Sequence, residues 1–217
     1  MPKLIQVDGK SLVPKTLAGL TDKEVDTFRQ QLPSRHLPPD IEELIRFASG
    51  FNMGYEDILF TESSSDPDFG SLYPNYIELM GDEAGNFWIL DIAPDGSWGP
   101  VYNNCHETAV IIRHSDNLLQ FLQHLDEWLV KGKNSHVESL LDTVYDIWKN
   151  KTSVPADPLN LTAFPAAALA GAPEDYIIAD HTHQPNKPDF PGRITSAKVA
   201  RSSAIRSARP GWQEFLL

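Results

Sequence analysis

Residues 81–92 constrain the fold most, because an acidic turn with two glycines leads directly into a strand pattern. Gly81 and Gly85 supply the backbone freedom that a tight reversal needs. Residues 87–90, Phe-Trp-Ile-Leu, are the aromatic and branched types that suit a pleated, half-buried surface. The stretch contains no nucleophile, metal cluster or phosphate cradle. We therefore interpret it as a site that holds a partner.

Strand-like patterns recur through the middle of the chain. They cover residues 55–60, 76–80, 86–92, 101–103 and 108–113. The sequence Pro-Asp-Gly-Ser at residues 94–97 predicts the turn of a hairpin between the third and fourth of these segments. Most links are too short for a parallel crossover, which needs about a dozen residues or more. The pattern therefore favours antiparallel pairing.

Helix signals precede the strands. Thr21 and Glu24 form a capping box, which predicts the start of a helix. Pro38 and Pro39 suit the start of a second helix, and Gly50 is its predicted stop. These two helices are expected to pack on the strands through their apolar stripes.

Two more helices are predicted after the strands. Asp116 is the predicted cap of the first, and Gly132 is its predicted end. Ser135 and Glu138 form a second capping box. The order of elements predicts an α+β fold, with an antiparallel or mixed central sheet flanked by N- and C-terminal helices.

The composition changes after residue 150, since residues 151–193 contain seven prolines. We divide the chain into an α+β domain at 1–150 and a proline-rich arm with a basic C-terminal segment at 151–217. The arm is expected to pack on the domain. A disordered tail is the alternative. The residues expected to dock its end are Trp212, Phe215 and Leu216.

The charge and the cysteine content exclude some classes of protein. A formal net charge of −12 argues against a nucleic-acid binder and favours a basic partner. The alternative is that the charge only keeps the protein soluble. The single cysteine, Cys105, excludes an internal disulfide and suits a reducing compartment. No apolar leader or membrane-length run is present, so we expect a cytoplasmic protein without membrane contact.

The chain resembles the SUKH superfamily, the Smi/Knr cell-wall-regulator-like proteins that include many bacterial immunity proteins. The resemblance covers roughly residues 16–130. One departure is that Ala48-Ser49-Gly50 replaces the more usual asparagine-glycine ending of the second helix. The resemblance implies an α+β scaffold that binds a protein. It is carried by residues 21–24, the Leu-Pro-Pro helix at 37–52, the acidic glycine turn at 81–86 with Asp91, and the helix that contains Phe121, Leu122 and Trp128.

An acidic rim around the predicted hairpin is the candidate partner surface, with tryptophan anchors beside it. The alternative is a solvated hairpin whose Asp and Asn side chains cap their own backbone. The rim and its anchors are Asp82, Glu83, Asn86, Trp88, Asp95, Trp98 and Tyr102.

Other chemistry has weaker support in the sequence. His181 and His183 could offer two imidazoles to a metal, but a catalytic site needs a third ligand, and a polar loop is the preferred interpretation. Cys105 and His106 are adjacent, so on a strand they point to opposite faces and do not form a nucleophile–base pair. We therefore expect no catalytic residue, metal or cofactor.

The leading hypothesis is a non-enzymatic immunity protein, as the resemblance implies, that neutralises a toxin effector by occluding its active surface. The acidic charge would suit a basic target such as a nuclease. A regulatory or scaffold adaptor of the same fold is the second hypothesis. A metal-dependent hydrolase centred on His181 and His183 is the third.

Overall fold

The structure is a computed structural model, and its described residues are 5–7, 10–12, 14–53, 57–62, 73–81, 85–105, 110–140, 144, 177–180 and 195–198. Within these residues it is an α+β fold with three sheets, which confirms the predicted class. None of the described helices is long and apolar enough to cross a membrane.

Two of the sheets are small and antiparallel. The first pairs β1 (Ile5–Val7) with β2 (Lys10–Leu12). The second places β4 (Gly50–Asn52) between β3 (Lys15–Thr16) and β5 (Asp57–Leu59).

The third sheet has six strands in the order β11-β10-β9-β8-β7-β6. The strands β6 to β9 pair as an antiparallel meander, β10 runs parallel to β9, and β11 runs antiparallel to β10. The sheet is therefore mixed. Its strands are β6 (Tyr76–Gly81), β7 (Phe87–Ile92), β8 (Trp98–Asn104), β9 (Val110–Ser115), β10 (Ile177–Asp180) and β11 (Thr195–Lys198).

The helices lie where the capping signals predict them, with small shifts at the ends. The helix α1 (Asp22–Gln31) begins at the predicted capping box, in which the Thr21 side chain accepts from the Glu24 N–H. The helix α2 (Pro39–Phe47) starts on its proline pair. The helix α3 (Leu118–Lys131) ends at Gly132, whose φ is 53°. A fourth helix, α4, is described at residues 136–140 and again at residue 144.

The core lies between the large sheet and the helices. Five successive residues of β7, from Trp88 to Ile92, are buried. Burial at every position, not at alternate ones, means that both faces of this strand are covered. On the helical side, α3 packs against β8 and β9. The helices α1 and α2 contribute Val25, Phe28, Ile41 and Ile45 to the same core.

Two predicted helix boundaries are wrong. Gly50 does not end α2, which ends at Phe47; instead Gly50 begins β4. A Cβ at residue 50 would lie 2.0 Å from the Ile58 carbonyl oxygen, so the close pairing of β4 with β5 requires a glycine there. The cap of α3 is Asn117 and not Asp116, whose carboxylate pairs with Arg113 at 2.8 Å.

The second predicted capping box is only half formed. The Glu138 N–H donates to Ser135 Oγ at 3.3 Å, as expected. The Glu138 carboxylate instead accepts from Trp128 Nε1 at 2.9 Å. It is not needed at the cap, because the Ser135 N–H already donates to the Gly132 carbonyl at 2.9 Å.

The six-stranded sheet takes strands from both sides of residue 150, since β10 and β11 come from the segment that we predicted to be an arm. The division at residue 150 stays a prediction. The residues that we expect to dock the end of the arm, Trp212, Phe215 and Leu216, lie outside the described residues.

Candidate functional site

The structure separates the residues that we predicted as one partner surface. Asp82 and Glu83 lie outside the described residues, and Asn86 is half-buried. Trp88 is 1% exposed and Tyr102 is 0% exposed, so neither side chain is accessible as a surface anchor. The sequence predicts a half-buried sheet, whereas residues 88–92 of β7 and 101–104 of β8 are buried at successive positions and so are covered on both faces. The partner-binding role of the remaining residues stays a prediction.

Asp95 lies in the tight turn that joins β7 to β8. The Ala93 N–H donates to the Ser97 carbonyl at 2.9 Å, and the Gly96 N–H donates to the Ala93 carbonyl at 2.8 Å. Asp95 Oδ1 accepts from Ser97 Oγ at 2.6 Å and from the Ser97 N–H at 2.9 Å. These hydrogen bonds, the hydroxyl one first, lower the pKa of Asp95. The turn therefore presents an ionised carboxylate in a fixed position.

This turn is held against the segment between α1 and α2. Ser34 Oγ donates to the Pro94 carbonyl at 3.0 Å. Gly96 packs so closely that a Cβ there would lie 2.5 Å from the Cβ of His36. We call the exposed surface formed by the two turns the hairpin corner. Its residues are Ser34, Arg35, His36, Pro94, Asp95 and Ser97.

The backbone of the hairpin corner is strained. Ser34 and Arg35 have φ values of 53° and 51°, a region that residues with a side chain rarely adopt. Below the corner, Trp98 is half-buried and packs edge-to-face on Phe28, with ring centroids 6.4 Å apart. Strained backbone persists only where its surroundings hold it, and it concentrates at functional sites.

Replacing Gly96 by alanine should distort the hairpin corner. Its φ of 87° disfavours any side chain, and the added Cβ would clash with His36. We expect a loss of roughly 1–3 kcal/mol in the free energy of unfolding from strain alone. Urea unfolding measures the stability, and amide NMR shifts of Arg35 and Ser97 report the corner.

Gly132→Ala is the control for this experiment. The φ of Gly132 is also positive, but a Cβ there meets nothing within 4 Å. This variant should lose stability without moving the amide shifts of the corner. Unchanged shifts in Gly96→Ala would show that the corner is not held by this contact.

A second site, which the sequence analysis did not find, is a cluster of three histidines. His114 near the end of β9, His124 on α3 and His136 at the start of α4 each place a side-chain nitrogen within 4.8 Å of the other two. The ring centroids are 4.9 Å apart for His114 and His124, 5.0 Å for His114 and His136, and 4.0 Å for His124 and His136. We call these three residues the histidine cluster.

The positions of the three rings follow from the core. His114 lies two residues after Ile112 on β9 and is 0% exposed. His124 lies three residues after Phe121 and four before Trp128, both of which are buried on the inner face of α3. His136 is 8% exposed and follows the Ser135 cap. Histidines at core-facing positions of a strand and a helix were the available sequence signal.

The electrostatics of the cluster favour a neutral imidazole at His124. Burial, followed by repulsion from His136, lowers the pKa of His124 to about 4, although Glu127 and Asp116 act in the opposite direction. His124 is therefore neutral at pH 7. Ser115 Oγ lies 2.9 Å from Nδ1 of His114 and 3.1 Å from Nδ1 of His124.

A shallow groove of about 410 Å³ runs beside α1, between Leu20, Phe28 and Thr61. The carboxylate in its lining is Glu24, and Glu24 Oε2 accepts from the Thr21 N–H at 2.8 Å and from Thr21 Oγ1 at 2.7 Å. Because this carboxylate accepts the hydrogen bonds that cap α1, it is not available in the groove as a general base.

Comparison with known proteins adds no relatives: no family model, no curated protein and no solved structure matches this chain. The resemblance to the SUKH superfamily therefore stays a prediction.

Proposed function

We propose that this chain is a non-enzymatic protein-binding module of the immunity class, which neutralises a toxin effector by occluding it. The observation that carries the proposal is the hairpin corner, an exposed surface on which two turns hold each other in one conformation. The resemblance to the SUKH superfamily supplies the class of partner.

A rigid surface favours binding because less conformational entropy is lost when the complex forms. In the corner, the Asp95 carboxylate is fixed by Ser97, and Ser34 links the turn to the segment that follows α1. Trp98 follows Ser97 in the chain, packs edge-to-face on Phe28 and leaves part of its ring exposed as apolar area. These are the features of a preformed interface and not of a catalytic cleft.

The charge of the chain indicates which partner suits this surface. With a net charge of −12, the protein would attract a basic effector, such as a nuclease, and speed their encounter. Asp95 contributes a carboxylate that stays ionised at neutral pH, because its pKa is lowered. The proposal uses Asp95 alone of the acidic rim, because Asn86 precedes β7 and Asp95 follows it, at the opposite end of the strand. Asp82 and Glu83 stay predicted contacts outside the described residues.

A regulatory or scaffold adaptor could use the same corner, so the readout has to be neutralisation. The tagged full chain is used to isolate its partner from the source organism, and mass spectrometry identifies that partner. Co-expression with the partner then tests survival. An immunity protein restores growth in cells that express the effector, whereas an adaptor binds without protecting.

Asp95→Lys should slow association with the identified partner about tenfold at low salt and less at high salt, because exposed charges act mainly through steering. Asp95→Asn keeps the acceptor for Ser97 and removes only the charge, so it separates steering from turn geometry. Glu43→Lys makes the same charge change as Asp95→Lys at an exposed site on α2. Surface plasmon resonance at several salt concentrations measures the rates.

Equal association rates for Asp95→Lys and Glu43→Lys would show that the corner is not the interface. Neutralisation without any measurable complex would overturn the proposed occlusion mechanism. A hydrolytic activity lost on His181→Ala and His183→Ala would favour the hydrolase instead; both residues lie outside the described residues.

A further inference from the structure

The histidine cluster brings together three residues that are separated by ten and twelve positions in the sequence. They come from a strand, from the helix that packs on it and from the start of the next helix. We propose that His114, His124 and His136 bind one Zn²⁺ ion, with a fourth coordination position left for water. This inference does not depend on the proposed function.

The distances in the cluster fit this ion after a small adjustment. Tetrahedral Zn²⁺ with Zn–N bonds of about 2.0–2.1 Å places its ligand nitrogens about 3.4 Å apart. The nitrogens of the cluster lie within 4.8 Å of one another. Rotation of the His124 and His136 rings toward His114 can close the difference, which is at most about 1.4 Å, without moving the backbone.

Ser115 favours Nε2 as the nitrogen that His114 and His124 would use. A histidine that binds metal through Nε2 carries its proton on Nδ1 and donates it to a neighbouring acceptor. Ser115 Oγ lies within hydrogen-bond distance of Nδ1 of both His114 and His124, at 2.9 and 3.1 Å. One hydroxyl oxygen has two lone pairs and can accept both protons. Ser115 is therefore a positioning residue that presents two Nε2 atoms.

The surroundings of the cluster hold one of its rings in place. His114 is packed edge-to-face by Phe121 and Trp88, with centroid distances of 5.8 and 6.4 Å. Such a wall fixes the ring and limits solvent access. Three imidazole ligands select Zn²⁺ and its neighbours in the first transition row over Mg²⁺ or Ca²⁺.

Binding of Zn²⁺ would join β9, α3 and the start of α4. These elements are together only in the native state, so the ion should stabilise the folded protein. Metal-stripped full-length chain is titrated with ZnCl₂, and separately with MgCl₂, by calorimetry and thermal unfolding. We expect one Zn²⁺ per chain and, at a hundredfold excess over Kd, a rise in Tm of about 5–10 °C. MgCl₂ should produce neither effect.

Variants locate the ion. His124→Ala and His136→Ala should each weaken Zn²⁺ binding by more than about 100-fold, whereas Ser115→Ala should weaken it about 10–100-fold, as for the loss of a supporting hydrogen bond. Gln123→Ala is the matched control, since Gln123 is exposed on α3 next to His124 and outside the cluster, and it should bind like the wild type. Far-ultraviolet circular dichroism checks that each variant is folded.

The absence of saturable binding at one Zn²⁺ per chain would overturn the proposal. Retention of full affinity by His124→Ala would do the same, as would a loss of binding in the double variant of His181 and His183 alone. If the cluster variants fail to fold, Co²⁺ replaces Zn²⁺ in the wild-type chain. The strong visible absorption of four-coordinate Co²⁺ with nitrogen ligands is then expected, and its absence would overturn the site.

Discussion

Replacing Trp88 by alanine is expected to lower the free energy of unfolding by about 3–5 kcal/mol, the range for removing a large aromatic side chain from a core. Trp88 is 1% exposed, and its ring packs edge-to-face on His114 with the centroids 6.4 Å apart. In a domain of this size the loss corresponds to a fall in Tm of roughly 6–20 °C. Urea unfolding at pH 7 measures it.

This variant also decides between two roles for Trp88. A surface anchor would lose partner binding on truncation and keep its stability, whereas a core residue loses stability first. Phe47→Ala is the matched control, because Phe47 is 72% exposed and its loss should change stability by less than about 0.5 kcal/mol. If Trp88→Ala unfolds at the same midpoint as the wild type, Trp88 is a surface residue, and the packing of β7 described above is contradicted.

The parts of the fold that the sequence predicted are those set by local chemistry. Strands β6 to β9 and the turn at residues 94–97 follow from runs of aromatic and branched residues and from turn residues close together in the chain. The Thr21 capping box forms as expected, because both of its partners lie within one helical turn. Strands β3 and β4 were missed because two or three residues are too few to show a period.

The two helix boundaries were predicted wrongly for different reasons. At α3 two adjacent residues cap equally well, and at α2 a contact distant in the sequence decides the role of the glycine. Asp116 and Asn117 are adjacent residues and both are good caps, so the pattern alone cannot choose between them. Arg113 draws the Asp116 carboxylate away and leaves Asn117 to cap α3. Gly50 resembles a helix stop in sequence, but the approach of β5 to β4 decides its role.

The candidate functional residues show the same division between features set by nearby residues and features set by distant contacts. Asp95 was identified correctly as an exposed turn residue, because turn chemistry is local. The burial of Trp88 and Tyr102 depends on what covers the second face of the sheet, which alternation within one strand does not reveal. The histidine cluster exists only after α3 has packed on β9, so no short motif describes it.

Asp91 should make the protein less stable as the pH rises from about 4 to 6. The carboxyl is 7% exposed on β7, and burial raises its pKa from 3.8 to about 6. Its backbone lies at the irregularity between β7 and β8, where the pairing shifts between Leu90 and Ile92. Below pH 3.8 the group is protonated in both the folded and unfolded states and costs nothing.

Between these two pKa values the unfolded chain releases its proton while the folded chain retains it, so folding becomes less favourable. Above pH 6 both states are ionised, and the full cost of about 3 kcal/mol is present. Asp91→Asn removes the titration. The stability of the variant relative to the wild type should therefore increase by about 3 kcal/mol between pH 3.5 and pH 7.

The stability of Asp91→Asn has to be compared with that of the wild type at each pH, because His124 changes stability in the opposite direction over a similar pH range. The pKa of His124 is lowered to about 4, so its contribution to the free energy of unfolding is lost as the pH falls. In a plot of wild-type stability against pH, this loss would mask the effect of Asp91. Subtracting the curve of Asp91→Asn from that of the wild type cancels His124. Asp95→Asn provides the control of opposite sign, since the pKa of Asp95 is lowered and its contribution disappears at low pH. A difference curve for Asp91→Asn that stays flat between pH 3.5 and 7 would mean that the carboxyl is solvated and that β7 is more open at this bulge than its burial indicates.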